Sequence, residues 1–345
     1  MQKLIFTTIC SLLFSLNTLK AQQPDESPVA YMNAMSKTHD EMDKKYMQYT
    51  SAVAHGKRAK KVEKLRLQVI ESIQDAKYKI LDLPFYKGDK SYRQTHLNYV
   101  DLIYKIYNED YVKVVNMEEI AEQSVDDMEA YILLNEKIEE KLKIANDSVN
   151  NAFKAFAAKH NVKLVEGEKS ELGQKLEKAS KVNKYYRPVD LIFFKCNWQM
   201  NKLTKALNES KVSDAEQARI SVIKFVNEGL EALEKISAFD GDPSLKTTCK
   251  FSLQAYKKVC EKETLVQIDF VLKKENFEKI KKTIDSKTDR TKEEIDAYNK
   301  AVKEFNDSVN KANQASANAN NQKSQALENW NNAVNAFFDT HVPKY

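Results

Sequence analysis

Residues 295–337 read IDAYNKAVKEFNDSVNKANQASANANNQKSQALENWNNAVNAF and contain neither glycine nor proline. Apolar or small residues recur through this stretch at alternating spacings of three and four, from Ile295, Tyr298, Val302 and Phe305 to Trp330, Ala333 and Phe337. This spacing places them on one face of an α-helix. Because the alternation is kept for so long, the stretch predicts a long, coiled-coil-like last helix.

The same helical spacing of apolar residues occurs along most of the preceding sequence. It appears at residues 32–49, 62–80, 97–114 and 134–156, and again at residues 193–207, 222–236 and 249–260. Only six glycines and six prolines occur among the 345 residues, so few positions interrupt the helices. Helices joined by short connections pack antiparallel, so the chain is predicted to be all-α and built from up-down four-helix bundles.

Short landmarks recur in the same order in both halves of the chain. They are Pro28-Val29 with Pro188-Val189, the turn from Phe85 to Asp89 with that from Phe239 to Asp242, the identical Asn-Asp-Ser-Val-Asn segments at 146–150 and 306–310, and His160 with His341. Such internal repetition predicts a tandem duplication of an elongated four-helix bundle. The predicted organisation is a signal peptide at 1–21, a first bundle at 22–161, a linker at 162–184 and a second bundle at 185–345, which includes the extended last helix.

The N-terminal residues have the layout of a cleaved secretory signal peptide. Lys3 precedes an uncharged, mostly apolar run from Ile5 to Leu19, and Ala21 offers a small residue at the cleavage point. Removal of Lys3 and Lys20 with this segment would lower the formal net charge from +5 to +3. No later segment is apolar enough to span a bilayer. We therefore expect a mature chain without a transmembrane segment that is periplasmic, associated with the outer membrane, or extracellular.

Sequence motifs for catalysis and for cofactor binding are absent. There is no glycine-rich phosphate loop, no His-Glu-x-x-His and no Gly-x-Ser-x-Gly. Asp240-Gly241-Asp242 is only a fragment of a calcium loop, and we interpret it as a turn. The basic run at residues 57–61 stands alone and is interpreted as a solvated helix start. We expect no enzymatic activity, no cofactor, no metal and no nucleic-acid partner.

Three cysteines follow the predicted signal peptide, namely Cys196, Cys249 and Cys260. Cys249 and Cys260 share one predicted helix at a separation of about 16 Å, so they cannot bridge each other. Cys196 and Cys249 lie at similar heights on two parallel helices of the predicted second bundle, so a Cys196–Cys249 disulfide is the pairing we expect if one forms. The alternative is that all three are buried free thiols on apolar helix faces.

Three short motifs stand at the ends of predicted elements. They are Pro28-Val29-x-Tyr31, the turn that contains Phe85, Gly88 and Asp89, and the segment from Phe156 to His160. With these motifs the chain resembles a family of exported, helical bacterial surface proteins known from a leptospiral member. The resemblance implies a helical fold and a location at the cell surface. It implies no activity, because the family has none assigned.

Two functional hypotheses follow from these observations. The first is a structural or interaction protein of the cell envelope that binds a protein partner through the last helix, or completes the seam of that helix with another chain. The residues of this candidate interaction arm are Asn306, Gln314, Asn318, Asn321 and Lys323. Weak packing of the Ala- and Asn-rich residues 314–325 would make the arm protrude; a close helix approach through small residues is the alternative. The second hypothesis is a small-ligand or metal-binding bundle with a pocket among Met32, Met35, His39 and Met42.

Overall fold

The computed structural model describes residues 27–110, 121, 123–165 and 170–345. Within these residues the chain is α-helical and contains no β-strand, which confirms the predicted all-α class. The predicted signal peptide at residues 1–21 lies outside the described residues. None of the helices described is long and apolar enough to cross a membrane.

The helices follow one another with short connections. In chain order they are α1 (Pro28–Ala54), α2 (Ala59–Asp82), α3 (Ser91–Lys105, continued by a π-helical turn at Ile106–Asp110), α4 (Val125–Lys159), α5 (Glu171–Asn208), α6 (Val212–Glu234), α7 (Ser244–Glu261), α8 (Glu263–Asp285) and α9 (Lys292–His341).

The contacts divide the chain into two compact units, and the division differs from the predicted domain boundaries. The first unit comprises residues 1–187 together with residues 335–345, and the second comprises residues 188–334. The last residues of the chain therefore belong to the first unit, although the sequence reading placed them in the second bundle. The predicted linker at 162–184 is helical from Glu171, and its Leu176, Ala179 and Val182 are buried.

Helix α5 continues through Pro188. Proline disfavours a helical conformation in the residue before it, which is Arg187. Arg187 is buried in the first unit and forms an ion pair with Glu139 at 2.5 Å. The buried side chains of Tyr186 and Val189 flank this position. Packing therefore overrides the local preference at this site.

Side-chain caps start several of the described helices. Ser124 Oγ accepts a hydrogen bond from the backbone N–H of Asp127 at 3.0 Å at the start of α4. Before α9, the Glu294 N–H donates to Thr291 Oγ1 at 3.3 Å and the Thr291 N–H donates to Glu294 Oε2 at 3.1 Å. This reciprocal pair is a capping box. Helix α6 begins at Val212, and no side chain caps its N-terminus.

The two predicted turns have the same backbone geometry. Lys87 and Gly88 have φ angles of 48° and 79°, and Asp240 and Gly241 have φ angles of 48° and 85°. Positive φ at both central residues defines a type I′ turn, which favours glycine. The following aspartate accepts a hydrogen bond from the backbone N–H of a serine in both turns, at 2.9 Å from Ser91 to Asp89 and at 2.8 Å from Ser244 to Asp242.

The turn geometry corrects the sequence alignment of the two turns by one residue. The residue that bridges to the aspartate is Tyr86 in the first turn and Phe239 in the second. Tyr86 is 1% exposed and Phe239 is 8% exposed, whereas Phe85, which the sequence paired with Phe239, is 42% exposed. Tyr86 is therefore the structural counterpart of Phe239.

The identical Asn-Asp-Ser-Val-Asn segments do not occupy equivalent environments. In α4, Asn146 and Val149 are buried. In α9, Asn306 is exposed and Ser308 is the buried residue. Different residues of the two identical segments therefore face the core. The match between the segments does not support the duplication. The tandem duplication stays a prediction, supported by the two turns.

Gly241→Ala is expected to destabilise the protein by about 1 kcal/mol, because an L-residue pays a steric cost at this φ. A Cβ at Gly241 would meet no atom within 4 Å, so the cost is conformational rather than a clash. Gly241→Asn should lose less, because asparagine tolerates positive φ. Urea denaturation of the three proteins checks this order; equal midpoints for the alanine and asparagine variants would contradict it.

Candidate functional site

A stripe of exposed carboxamide side chains runs along α9. It consists of Gln314, Asn318, Asn321, Gln325, Asn329 and Asn332, which we call the amide face. Spacings of three and four residues keep these side chains on one side of the helix. The stripe is about 27 Å long at a rise of about 1.5 Å per residue.

A different side of the same helix is buried in the second unit through small residues. Ala312, Ala315 and Ala326 are buried there, and Trp330 follows them. Ser252 Oγ of α7 donates a hydrogen bond to the backbone carbonyl of Ala326 at 3.2 Å. Side-chain contact with the backbone of the facing helix requires a close approach, which alanine permits. The structure thus has the close helix approach and not the loosely packed, protruding arm.

The beginning of α9 also has a helical partner within the second unit. Phe305 stacks on Phe277 of α8 at a centroid distance of 5.0 Å and lies 5.9 Å from Phe270. Tyr298 lies 6.1 Å from the same Phe277 ring. Residues 292–310 therefore form a hairpin with α8, so Asn306 lies on the exposed side of a packed helix.

Folding does not account for the composition of the amide face. Asparagine is a weaker helix former than lysine, glutamate or alanine, at a cost of a few tenths of a kcal/mol per residue. Charged residues make up 30% of the chain, yet Glu328 is the only charged side chain from residue 324 to residue 338. A long exposed stripe of uncharged donors and acceptors lowers the stability of the helix. It also gives the protein a surface that can form hydrogen bonds but carries no charge.

A groove of about 390 Å³ adjoins the amide face between α7 and α9. Its walls contain Thr248, Phe251, Ser252 and Ala255 on one side and Gln322, Gln325, Ala326, Asn329 and Asn332 on the other. None of these side chains is charged. Phe251 is 64% exposed, so a large aromatic ring stands at the groove with most of its surface in water.

The structure separates the five residues of the predicted interaction arm. Asn306, Gln314, Asn318 and Asn321 are exposed. Lys323 turns inward, and its Nζ donates hydrogen bonds to Thr204 Oγ1 at 3.1 Å and Asn201 Oδ1 at 3.4 Å. Lys323 is therefore not part of the amide face.

Four residues of this surface were not predicted from the sequence. They are Phe251, Gln325, Asn329 and Asn332. The last three continue the 3-4 spacing of Gln314, Asn318 and Asn321, so helical phase could have identified them. The sequence does not identify Phe251 as a surface residue. A phenylalanine on an amphipathic helix is expected in the core unless the orientation of the helix is known.

The three cysteines are free thiols, and all are buried in the second unit. The expected Cys196–Cys249 disulfide is not formed. Burial raises the pKa of Cys196 and of Cys260 to about 12, and raises that of Cys249 well above its usual value. Thiols held protonated in this way are poor nucleophiles. The alternative reading of buried free thiols therefore fits the structure.

The methionines and His96 of the cluster in the first unit are buried, and His39 is half-buried. Met32, Met35 and Met42 are inaccessible to solvent, and His39 Nε2 lies 2.8 Å from His96 Nδ1. Burial lowers the pKa of His39 to about 4 and that of His96 well below its usual value, so the two rings are neutral at pH 7. Among the residues that the structure describes, no three His, Cys, Asp or Glu side chains are placed to hold a metal ion.

Comparison with known proteins gives no match: no family model fits the chain, and no curated protein or solved structure is similar to it. The resemblance to the bacterial surface-protein family stays a prediction.

Proposed function

We propose that this protein is a non-enzymatic, exported protein of the cell envelope or cell surface, and that it binds a protein partner through the amide face of α9 and the adjoining groove. The observation that carries the proposal is the continuity of the amide face with an uncharged groove that presents the exposed ring of Phe251.

The chemistry of this surface suits an uncharged protein segment. Each carboxamide offers donors and an acceptor, which matches the backbone and side-chain amides of a polypeptide. Phe251 supplies the apolar anchor, since covering a phenylalanine side chain contributes about 1.5–3 kcal/mol. Aromatic anchors surrounded by weaker polar contacts are the usual energetic centre of protein interfaces. The stripe also extends well beyond the groove, so one small ligand would leave most of it uncovered.

Export and the lack of enzymatic activity belong to the same proposal. The apolar run from Ile5 to Leu19 supports export through a signal peptide. The absence of catalytic sequence motifs and the protonated state of the buried thiols support a binding role. The amide face carries no group that is poised for proton transfer or nucleophilic attack.

Asn318→Asp with Asn321→Asp is expected to weaken partner binding at least about tenfold, because two charges of nearly unchanged shape would have to lose water at the interface. Asn313→Asp with Asn331→Asp is the matched control, with the same chemistry on exposed positions about 100° around the helix. Recovery of the wild-type partner from the native envelope fraction, at equal amounts of folded protein, measures the effect. Equal recovery by the two double variants would refute the proposed surface.

Phe251→Ala gives an independent test of the groove. The ring is largely exposed, so its removal should change the thermal midpoint little while reducing partner recovery about as much as the double aspartate variant. Ile220→Ala is the control, since Ile220 is 56% exposed on α6 and does not line the groove. Unchanged recovery with Phe251→Ala would remove the groove from the binding site.

A further inference from the structure

A small cavity of about 80 Å³ lies inside the second unit, where α5, α8 and α9 meet. Its apolar walls include Met200, Leu203 and Val259. Its polar lining includes Thr264 and Lys323. The cavity is partly open to solvent, since Asn208 and Asn320 on its wall are exposed. Its buried polar groups need an occupant that can form hydrogen bonds.

Two polar groups of this cavity are buried without a hydrogen-bond partner. Thr264 is completely buried, and its Oγ1 has no partner. Gln267 lies one turn further along α8, and its Nε2 is also buried without a partner. A buried polar group that stays unsatisfied destabilises the folded protein. Both can donate a hydrogen bond, so the cavity presents donors that lack an acceptor.

The ammonium group of Lys323 faces the same cavity, and no acidic side chain neutralises it. Its Nζ donates to the neutral oxygens of Thr204 and Asn201. Lys323 forms no ion pair with any carboxylate of the described residues, although other lysines of α9, such as Lys300, do. Burial lowers the pKa of Lys323, and no nearby acid raises it. A bound anion would stabilise a positive charge in this position.

The N-terminus of α8 adds a positive electrostatic potential near the cavity. Thr264 is the second residue of this helix, and no side chain caps the helix at Lys262. Uncapped N–H groups and the helix dipole favour an anion at a helix N-terminus. Glu263 carries the carboxylate of this turn and does not line the cavity. Its Oε1 accepts a hydrogen bond from Gln322 Nε2 at 3.2 Å, and its Oε2 is buried without a partner.

From these observations we infer that the cavity is a binding site for a small oxyanion, held by the Lys323 ammonium and by hydrogen bonds from Thr264 Oγ1 and Gln267 Nε2. The shared chemistry is a compact anionic group with oxygen acceptors, either an inorganic ion such as phosphate or sulfate or a small carboxylate such as acetate. The volume of the cavity excludes a nucleotide. The ammonium and the two donors disfavour a cation.

The test measures the thermal midpoint of the full-length protein while chloride is replaced by phosphate, sulfate or acetate at constant ionic strength. We expect a saturable rise with at least one of these ions, since a ligand that binds only the folded state stabilises it. Lys323→Met should weaken that anion at least about tenfold, because the charge is lost while the chain length is kept. Lys300→Met, which removes an exposed lysine of the same helix, should leave the response unchanged.

Thr264→Val keeps the test decisive if Lys323→Met does not fold. This variant preserves the shape of the side chain and removes one donor, so it should weaken the same anion several-fold. Two results would overturn the inference. One is the absence of saturable stabilisation by any of the three anions, which would leave water as the occupant. The other is an equal anion response in wild type, Lys323→Met and Thr264→Val.

Discussion

Phe338→Ala is expected to lower the free energy of unfolding of the first unit by about 3–5 kcal/mol, the usual cost of removing a fully buried aromatic ring. Phe338 is completely buried although it lies only seven residues from the C-terminus. Its ring packs edge-on against Tyr186 at 5.0 Å, and the neighbouring Phe337 lies 5.5 Å from Tyr185. These contacts attach residues 335–345 to the first unit.

The two tryptophans make the location of this effect measurable. Trp198 and Trp330 both belong to the second unit, so their fluorescence reports on that unit, whereas far-ultraviolet circular dichroism reports on all helices. The urea transition seen by circular dichroism should move more than the one seen by tryptophan fluorescence. Asn331→Ala, at an exposed position of the same helix, is the control and should move neither. A shift in the fluorescence transition alone would contradict the assignment of Phe338 to the first unit.

Asp43→Asn is expected to stabilise the protein at neutral and alkaline pH. Asp43 is buried in α1, and burial, helped by the negative charge of Asp40, raises the pKa of its carboxyl to about 8. Its Oδ1 has no hydrogen-bond partner. The carboxyl is therefore protonated at pH 7 in the folded protein, and an asparagine side chain replaces a neutral group of nearly the same shape.

The pH dependence of this effect follows from the direction of the pKa shift. Between a pH of about 4 and about 8 the unfolded chain has lost the Asp43 proton while the folded chain keeps it, so stability falls as the pH rises, by about 1.4 kcal/mol per pH unit. The variant should therefore match wild type near pH 4 and exceed it by several kcal/mol at pH 8. The lowered pKa values of His39 and His96 also reduce stability below pH 6.5, but they do so equally in both proteins. The difference in stability between the two proteins therefore reports on Asp43.

Chemical denaturation across this pH range measures the difference directly. Asp147→Asn is a suitable control, because Asp147 is an exposed residue of α4 that pairs with Lys143. It should change stability little, and to a similar extent, at every pH. A constant difference between wild type and Asp43→Asn from pH 4 to pH 8 would show that Asp43 ionises normally in the folded state.

Local rules predicted most of the secondary structure. The turns at Gly88 and Gly241 each depend on a few neighbouring residues, and both occur as expected. The caps at Ser124 and Thr291 follow equally local rules. At Pro188 a local rule does not hold: the helix continues through the proline, and the preceding Arg187 is buried and paired with Glu139. Such contacts join residues distant in sequence, which a local reading cannot detect.

The domain division and the candidate site were less accessible from the sequence. A helix that leaves one compact unit and enters the other has an unbroken apolar period, so nothing in its sequence marks the boundary. The amide face could be predicted from helical phase, and four of the five arm residues are exposed as expected. Lys323 was assigned to that surface despite its place on the buried stripe with Ala312, because a lysine is usually solvated.

The central claim is that the amide face of α9 is the partner-binding surface, and site-directed photo-cross-linking in the native host tests it most directly. A photoreactive amino acid at position 318 or 321 should form a covalent adduct with one envelope protein. The same amino acid at position 313 or 331, exposed on the flank of the same helix, should form little of it. Equal adducts at all four positions, or an adduct confined to positions 313 and 331, would contradict the claim.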